Sequence, residues 1–313
     1  MKILFAGTPD FAVAPLNNLI ENGFDVVGVV TQEDKPQGRK GVLTPPPVKT
    51  AALSLGLPVF QPHKIREHVD ELKAFGADVL VTCAYGQILT QDVLDCFPMG
   101  VWNIHAGLLP FYRGASPIQS CLLAGETETG VTVMKTELGL DTGDILCVEK
   151  TPVDEKETYG ELSARLSLLG AKLIVDALNR LQTGDCVLTK QGETGARTVR
   201  KIGKEQAKID FTKTAKEIVN LVRASNPAPV AYTATENGIL NVYLAEKAEW
   251  TEDISLAQYG EVLSDSPKKG LVVKCADGAV RLLEVQSAGG KRMKGGDFLN
   301  GRKAQRGQVL HVE

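Results

Sequence analysis

The sequence predicts an α/β protein in two parts: a Rossmann-like, parallel-sheet domain followed by a small β-barrel of the OB-like kind. Three observations carry this. From residue 2 to about 183, short apolar runs alternate with amphipathic stretches, the pattern of repeated βα units with helices on both faces of a sheet. From residue 239 onward, short strand-like runs are separated by turn residues, which is how a small barrel reads. Between the two patterns lies a cation-rich stretch. The chain of 313 residues therefore divides into residues 1–183, a basic linker 184–206, and 207–313.

The elements follow in order. Lys2–Gly7 is apolar throughout and suits a buried parallel strand. Asp10 is placed to cap a helix carrying Phe11, Ala14, Leu16, Leu19 and Ile20, which Asn22-Gly23 ends. Asp25–Thr31 is the second strand. The turn between these strands, Gly7-Thr8-Pro9-Asp10, lacks the spaced glycines that a dinucleotide pyrophosphate needs, which argues against a nicotinamide cofactor. Gln32–Val48 is a long loop rich in Gly, Pro and charge, with Arg39-Lys40 between two glycines as a cationic tip. Further elements are expected at Val48–Leu55 (helix), Val59-Phe60 (strand), Ile65–Phe75 (helix), Asp78–Ala84 (strand) and Thr90–Phe97 (helix). The next strand is Val101–His105, and a helix starts at Pro117 with Ser116 as its cap. Gly130–Glu137 alternates as a strand, and a tight loop, Gly139–Asp144, leads into Ile145–Val148. Thr158 and Glu161 form a capping-box pattern ahead of a long helix bearing Leu162, Leu166, Leu169 and Leu173. In the last part, Ala215–Ser225 reads as a helix. Strands are expected at Ile239–Leu244, Tyr259–Leu263, Gly270–Lys274, Ala279–Gln286 and Gln308–Val312.

Composition narrows the class. A net charge of −3 conceals an asymmetry: from Ala207 onward 15 Lys and Arg stand against 13 Asp and Glu, so the last part is mildly basic within an acidic whole. Lys291, Arg292, Lys294, Arg302, Lys303 and Arg306 make a locally positive tail, and Lys190, Arg197, Arg200, Lys201 and Lys204 do the same for the linker. The six cysteines are scattered, without C-x-x-C or zinc spacing, which predicts reduced thiols, a cytoplasmic chain and no metal site. No apolar run approaches the roughly 20 residues of a membrane helix. Nothing in the pattern demands more than a monomer.

The stretch Val101–Gln119, VWNIHAGLLPFYRGASPIQ, concentrates the chemistry. On a strand, Asn103 and His105 share a face at its C-terminal end, where open α/β sheets bind ligands. Asp141 is a candidate third partner, since the C-terminal loops of neighbouring parallel strands meet at one rim. An imidazole can act as a base near neutral pH, a carboxylate can orient it, and an amide N–H can hold a developing oxyanion. No Ser or Cys sits in a nucleophile elbow. A base and an oxyanion donor without a protein nucleophile suit transfer of an acyl-type group to a substrate amine. A strand-end Asn-x-His also serves as a loop-stabilising pair, and spacing alone leaves both readings open.

Asn103-Ile104-His105, Leu108-Leu109-Pro110, Arg113-Gly114 and Leu140-Asp141-Thr142-Gly143 resemble the signature of the folate-dependent formyltransferases. FAGTPDFA (Phe5–Ala12), TQEDKPQGRK (Thr31–Lys40), PVFQP (Pro58–Pro62), RGASPIQ (Arg113–Gln119), TGVTVMK (Thr129–Lys135) and NGRKAQRG (Asn300–Gly307) extend the likeness to members that act on tRNA. The resemblance implies a formyltransferase catalytic domain and a tRNA-binding barrel. It implies that 10-formyltetrahydrofolate, a co-substrate, gives its formyl group to the α-amine of methionyl initiator tRNA. His105 would be the base, Asp141 its orienting partner and Asn103 the oxyanion donor. Gly107, Leu108, Leu109 and Pro110 would line the folate site. Arg39 and Lys40 would meet the tRNA acceptor stem, and the basic linker and tail its backbone. Members usually carry Ser where this chain has Gly107, so a hydroxyl contact to folate is replaced by backbone alone.

Overall fold

The computed structural model describes residues 1–38, 41–301 and 303–310. The chain forms two compact units. One comprises Met1–Pro117, Glu128–Pro152 and Ser163–Val199; the other comprises Ile118–Thr127, Val153–Leu162 and Arg200–Glu313.

A seven-stranded sheet forms the first unit: β1 (Lys2–Gly7), β2 (Asp25–Val30), β3 (Val59–Phe60), β4 (Val79–Cys83), β5 (Val101–His105), β6 (Glu128–Lys135) and β7 (Ile145–Pro152). In space the order is β7-β6-β5-β4-β1-β2-β3. The strands from β5 to β3 are parallel, and β1 and β4 are buried almost end to end because both faces are covered. Leu4, Ala6, Val30, Leu80 and Val101 join Ile65, Leu72, Val93 and Phe97 in one apolar cluster.

Two expectations are corrected here. The sheet is mixed, not wholly parallel: β6 runs antiparallel to β5, and β7 antiparallel to β6. The loop bearing Asp141 therefore does not reach the rim as the C-terminal loop of a parallel neighbour. It connects two antiparallel strands and doubles back towards His105. The helices are also interrupted. Residues 10–12 tighten into a 3₁₀ turn, so α1 spans Val13–Glu21 without a side-chain cap from Asp10. Ile65–Glu67 and α3 (Val69–Ala74) are separated at His68, whose ψ of 40° is not helical. The remaining helices are α2 (Pro47–Ser54), α4 (Gln91–Leu94), α5 (Pro117–Ala124) and α6 (Tyr159–Thr183). The capping box forms at the start of α6: Thr158 N donates to Glu161 Oε2 at 2.9 Å, and Glu161 N to Thr158 Oγ1 at 3.4 Å. The long loop after β2 contains a small hairpin, Lys35–Gln37 against Val42–Thr44. Its tip, Arg39 and Lys40, lies outside the described residues.

The second unit is an antiparallel sheet curled into a small barrel, in the order β8 (Ala231–Thr235), β9 (Gly238–Ala248), β11 (Gly278–Ser287), β10 (Leu271–Cys275), with β12 (Met293–Lys294) on β11. Register shifts between Val242 and Ala245 bend β9. Helix α7 (Ala215–Ala224) starts with a capping box of Thr214 and Glu217 and buries Ala215, Ile218 and Val222 against the sheet. A short helix α8 (Gly295–Asn300) follows β12. The expected strand Tyr259–Leu263 reduces to two bridges, Glu261 with Val309 and Val262 with Val273, because Gly260 breaks the extended run at φ +84°. Of the expected strand Gln308–Val312, residues 311 and 312 lie outside the described residues. Strand β8 was not expected. Among the described residues no helix is long and apolar enough to cross a membrane.

Candidate active site

His105 closes β5 with only 4% of its surface exposed. Its Nδ1 lies 3.5 Å from Asp141 Oδ2, and the ring also hydrogen-bonds the backbone of Tyr112. Both neighbours are acceptors, which places the ring proton on Nδ1 and leaves the lone pair on Nε2. Nε2 is buried and has no hydrogen-bond partner among the described residues. Burial lowers the His105 pKa below its ordinary value, while the Asp141 charge and the Tyr112 backbone oppose the shift. The result is a neutral imidazole near neutral pH with its basic nitrogen unoccupied.

Asn103 sits two residues back along the same strand. Its Oδ1 accepts from Thr82 Oγ1 at 2.9 Å, across the β4–β5 pairing where Thr82 and Asn103 are register partners. That bond fixes the amide so that Nδ2 is its free donor end.

The loop after His105 is pinned by Thr132 of β6, which is wholly buried and is the register partner of His105. Thr132 Oγ1 donates to the Gly107 carbonyl at 2.7 Å and accepts from Leu109 N at 3.3 Å. Gly107 lies directly over the catalytic candidate. A Cβ there would stand 3.1 Å from both His105 Nε2 and Pro117 Cβ, so glycine leaves that nitrogen clear. Leu109 is buried, whereas Leu108 and Pro110 are half-buried.

Asp141 adopts φ +50°, a conformation rare outside glycine and tolerated best by Asn and Asp. Four hydrogen bonds brace it there. Its Oδ2 accepts the backbone N–H of Gly114 at 2.7 Å. Gln191 Nε2 donates to the Asp141 and Gly143 carbonyls at 2.9 and 2.7 Å. Arg113 Nε in turn donates to Gln191 Oε1 at 3.0 Å. The segment read as a linker thus reaches the site: Thr198–Val199 pairs with Arg113–Gly114, and Gly114 (φ +111°) has no room for a side chain against the Val199 carbonyl.

A cavity of about 820 Å³ opens beside the start of the Asp141 loop, within the size range of small-molecule sites. Leu94, Phe97, Met99, Trp102 and Leu138 give it an apolar wall, and Lys135, Thr136 and Glu137 its polar edge. The Thr136 hydroxyl is buried without a partner among the described residues. Gly107–Pro110 do not line this cavity.

The structure therefore brings Asn103, His105, Asp141 and Gly107 together. Arg39 and Lys40 lie outside the described residues, as does Arg302 of the positive tail. Within that tail Arg306 pairs with Glu252 at 2.8 Å and Asp265 at 3.6 Å, so its charge is locally balanced, and Arg292 stacks 3.5 Å over the Tyr243 ring. Lys291, Lys294 and Lys303 are exposed. No group of three or more metal-ligating side chains occurs among the described residues. Sequence reasoning missed Thr82, Thr132 and Gln191. A lone Thr inside the apolar strand VLVTC was a visible signal for Thr82; Thr132, which shares its strand with Thr129, and Gln191 carried none.

The family described as formyl transferase matches residues 1–178, and the formyl transferase C-terminal domain matches 201–303. A methionyl-tRNA formyltransferase of Symbiobacterium thermophilum is 43% identical over 98% of this chain and 94% of its own length. That of Bacillus subtilis is 41% identical over 99% of this chain and 98% of its own length. Among solved structures, HypX of Aquifex aeolicus in complex with tetrahydrofolic acid superposes with a TM-score of 0.66 at 17% identity over 100% of this chain. This chain spans about half of HypX, 51% of its length. The N-formyltransferase of Helicobacter canadensis, in complex with folinic acid and dTDP-3-aminofucose, superposes with a TM-score of 0.65 at 20% identity. It covers 90% of this chain and 98% of its own.

Proposed function

The chain belongs to the formyl transferase family, and on that premise we propose that it transfers the formyl group of 10-formyltetrahydrofolate to the α-amine of methionyl initiator tRNA. The observation that carries the reading is the His105 Nε2 atom: buried and without a partner among the described residues, on a ring whose Nδ1 faces the Asp141 carboxylate and two residues along the strand from the Asn103 amide. The methionine amine attacks the formyl carbon while Asn103 Nδ2 donates to the formyl oxygen as it gains charge. His105 Nε2 takes the proton that the amine sheds, and Asp141 supports the imidazolium so formed. The new nitrogen–carbon bond forms, the bond to N10 of the folate breaks, and the proton passes to N10. Atoms and charge balance without a covalent protein intermediate.

The cavity beside the Asp141 loop suits the flat ring system of the donor, with the unpaired Thr136 hydroxyl and the Glu137 carboxylate to meet its polar edge. Gly107 borders the His105 nitrogen to which the formyl group would be brought, and Leu108, Leu109 and Pro110 continue the loop from it. The cationic tip at Arg39-Lys40 and the exposed lysines of the barrel supply the phosphate contacts that position a tRNA without reading its sequence. Such a protein works in the cytoplasm, where charged tRNA is used.

Purified protein is mixed with 10-formyltetrahydrofolate and with charged initiator tRNA, charged elongator tRNA or a dTDP-amino sugar. Formyl-methionine on initiator tRNA is the expected product, with His105→Ala slower by ~10²–10⁴. Undiminished turnover in His105→Ala removes it as the base, and turnover of the amino sugar alone removes the tRNA reading.

A further inference from the structure

The root of the Lys35–Thr44 hairpin is bonded far more than a solvated loop requires. It gathers the ends of four parallel strands. Thr8, after β1, donates through Oγ1 to the Tyr85 carbonyl beyond β4 at 2.9 Å. Gln32, after β2, donates through Nε2 to the same carbonyl at 2.9 Å and accepts from Lys35 Nζ at 2.6 Å. Gln61, after β3, donates to the Gln32 carbonyl at 2.7 Å and to Asp34 Oδ1 at 2.9 Å. Lys49 of α2 closes the ring, with Nζ 2.8 Å from both Asp34 oxygens. Asp34 is thus gripped from two elements, and its side chain and that of Lys49 are only 24% and 22% exposed. Beyond this root the hairpin exposes Val42 and Leu43, at 62% and 65%, next to the sequence's Arg39-Lys40. Apolar side chains held in water, in a segment whose sequence also carries two cations, match an RNA end, which offers both sugar and base faces and phosphates.

We propose that Asp34, Lys49 and Gln61 are positioning residues: their network at the hairpin root fixes the direction in which the hairpin meets the acceptor end of the charged tRNA. None of the three touches a reacting atom. A preformed root spares the ordering that a free loop would undergo on binding, so the network acts on affinity for the tRNA and not on the chemical step. The proposal rests on the reading that this chain formylates charged tRNA.

Steady-state kinetics on full-length Asp34→Ala, Lys49→Ala, Gln61→Ala and Lys49→Arg test it, varying charged initiator tRNA at saturating donor and then the reverse. Asp34→Asn replaces Asp34→Ala if the latter does not fold. The alanine variants should raise KM for the tRNA roughly 3- to 30-fold, with kcat and donor KM within twofold of the native protein. Lys49→Arg should recover most of the loss. Asp34→Ala with Lys49→Ala should be no worse than the poorer single variant, since both break one contact. An unchanged tRNA KM overturns the proposal, as does a matched loss in kcat and both KM values, which marks a structural role alone. A native protein that formylates no tRNA overturns the underlying reading, a result distinct from a native protein whose variants match it.

Discussion

Replacing Asp141 with Asn keeps the side-chain volume and an oxygen for the Gly114 N–H, but deletes a charge 3.5 Å from His105 Nδ1. Coulomb's law at that separation gives about 1 kcal/mol in water-like surroundings and about 5 kcal/mol at an effective dielectric of about 20. His105 is buried and the Asp141 side chain is 16% exposed, so the interaction falls between these bounds. In the proposed mechanism the charge favours the imidazolium that forms during transfer. Its loss raises the barrier by the same amount, and kcat should fall between roughly 10-fold and roughly 3,000-fold. The pH profile carries a second, independent sign. Burial pulls the His105 pKa down and Asp141 pulls it back up. Without the carboxylate the pKa falls further, and the acid limb of kcat against pH moves to lower pH. Initial rates of formyl-methionine formation across the acid range measure both quantities. A kcat within twofold of native, or an acid limb moved upward, refutes the electrostatic role of Asp141.

Three further outcomes follow from the same geometry. Asn103→Ala should lower kcat by ~10²–10³ with little change in either KM, because in the proposed mechanism the amide acts on charge that develops only in transfer; an equal loss confined to KM contradicts this. Thr132→Val strands the Gly107 carbonyl and the Leu109 N–H in a buried site, at a cost of about 1–3 kcal/mol, which thermal unfolding reads directly and which should accompany a raised donor KM. Because His105 is held below its ordinary pKa, the unfolded chain takes up a proton near pH ~6.5 that the native chain binds only at lower pH. Stability therefore declines as pH falls through that window, and His105→Gln should flatten that part of a urea-midpoint curve.

Much of this was legible in the residues. The parallel core followed from apolar runs that do not alternate, as β1 and β4 show, because a strand buried on both faces has no polar side to display. The capping box at Thr158 and Glu161 is local chemistry and formed as the spacing implied. Strand direction was not legible. Gly130–Glu137 has the same period of two whichever way it pairs, so nothing local distinguished an antiparallel β6 from a parallel one. The proximity of Asp141 to His105 was anticipated, but for a reason that the chain path does not support. It depends on Gln191 and Gly114, contacts far apart in sequence. Gln191 lay in a stretch that charge counting described only as basic, and side-chain hydrogen bonds to backbone carbonyls leave no composition signal. Short β8 was missed because five residues after a proline-rich turn give too little periodicity to count.

The ribbon between Thr198–Val199 and Arg113–Gly114 bears on where this protein can be cut. Helix α6 ends at Thr183, and the formyl transferase family match ends at 178, so either point looks like the edge of a self-sufficient catalytic piece. A chain truncated there would retain Asn103, His105 and Asp141 yet lose the Gln191 clamp on the Asp141 backbone and the strand that backs Gly114. Transplanting this catalytic half onto another carrier therefore needs a junction after Val199. A graft made sixteen residues earlier, after Thr183, keeps Asn103, His105 and Asp141 and discards the brace that holds Asp141 in place.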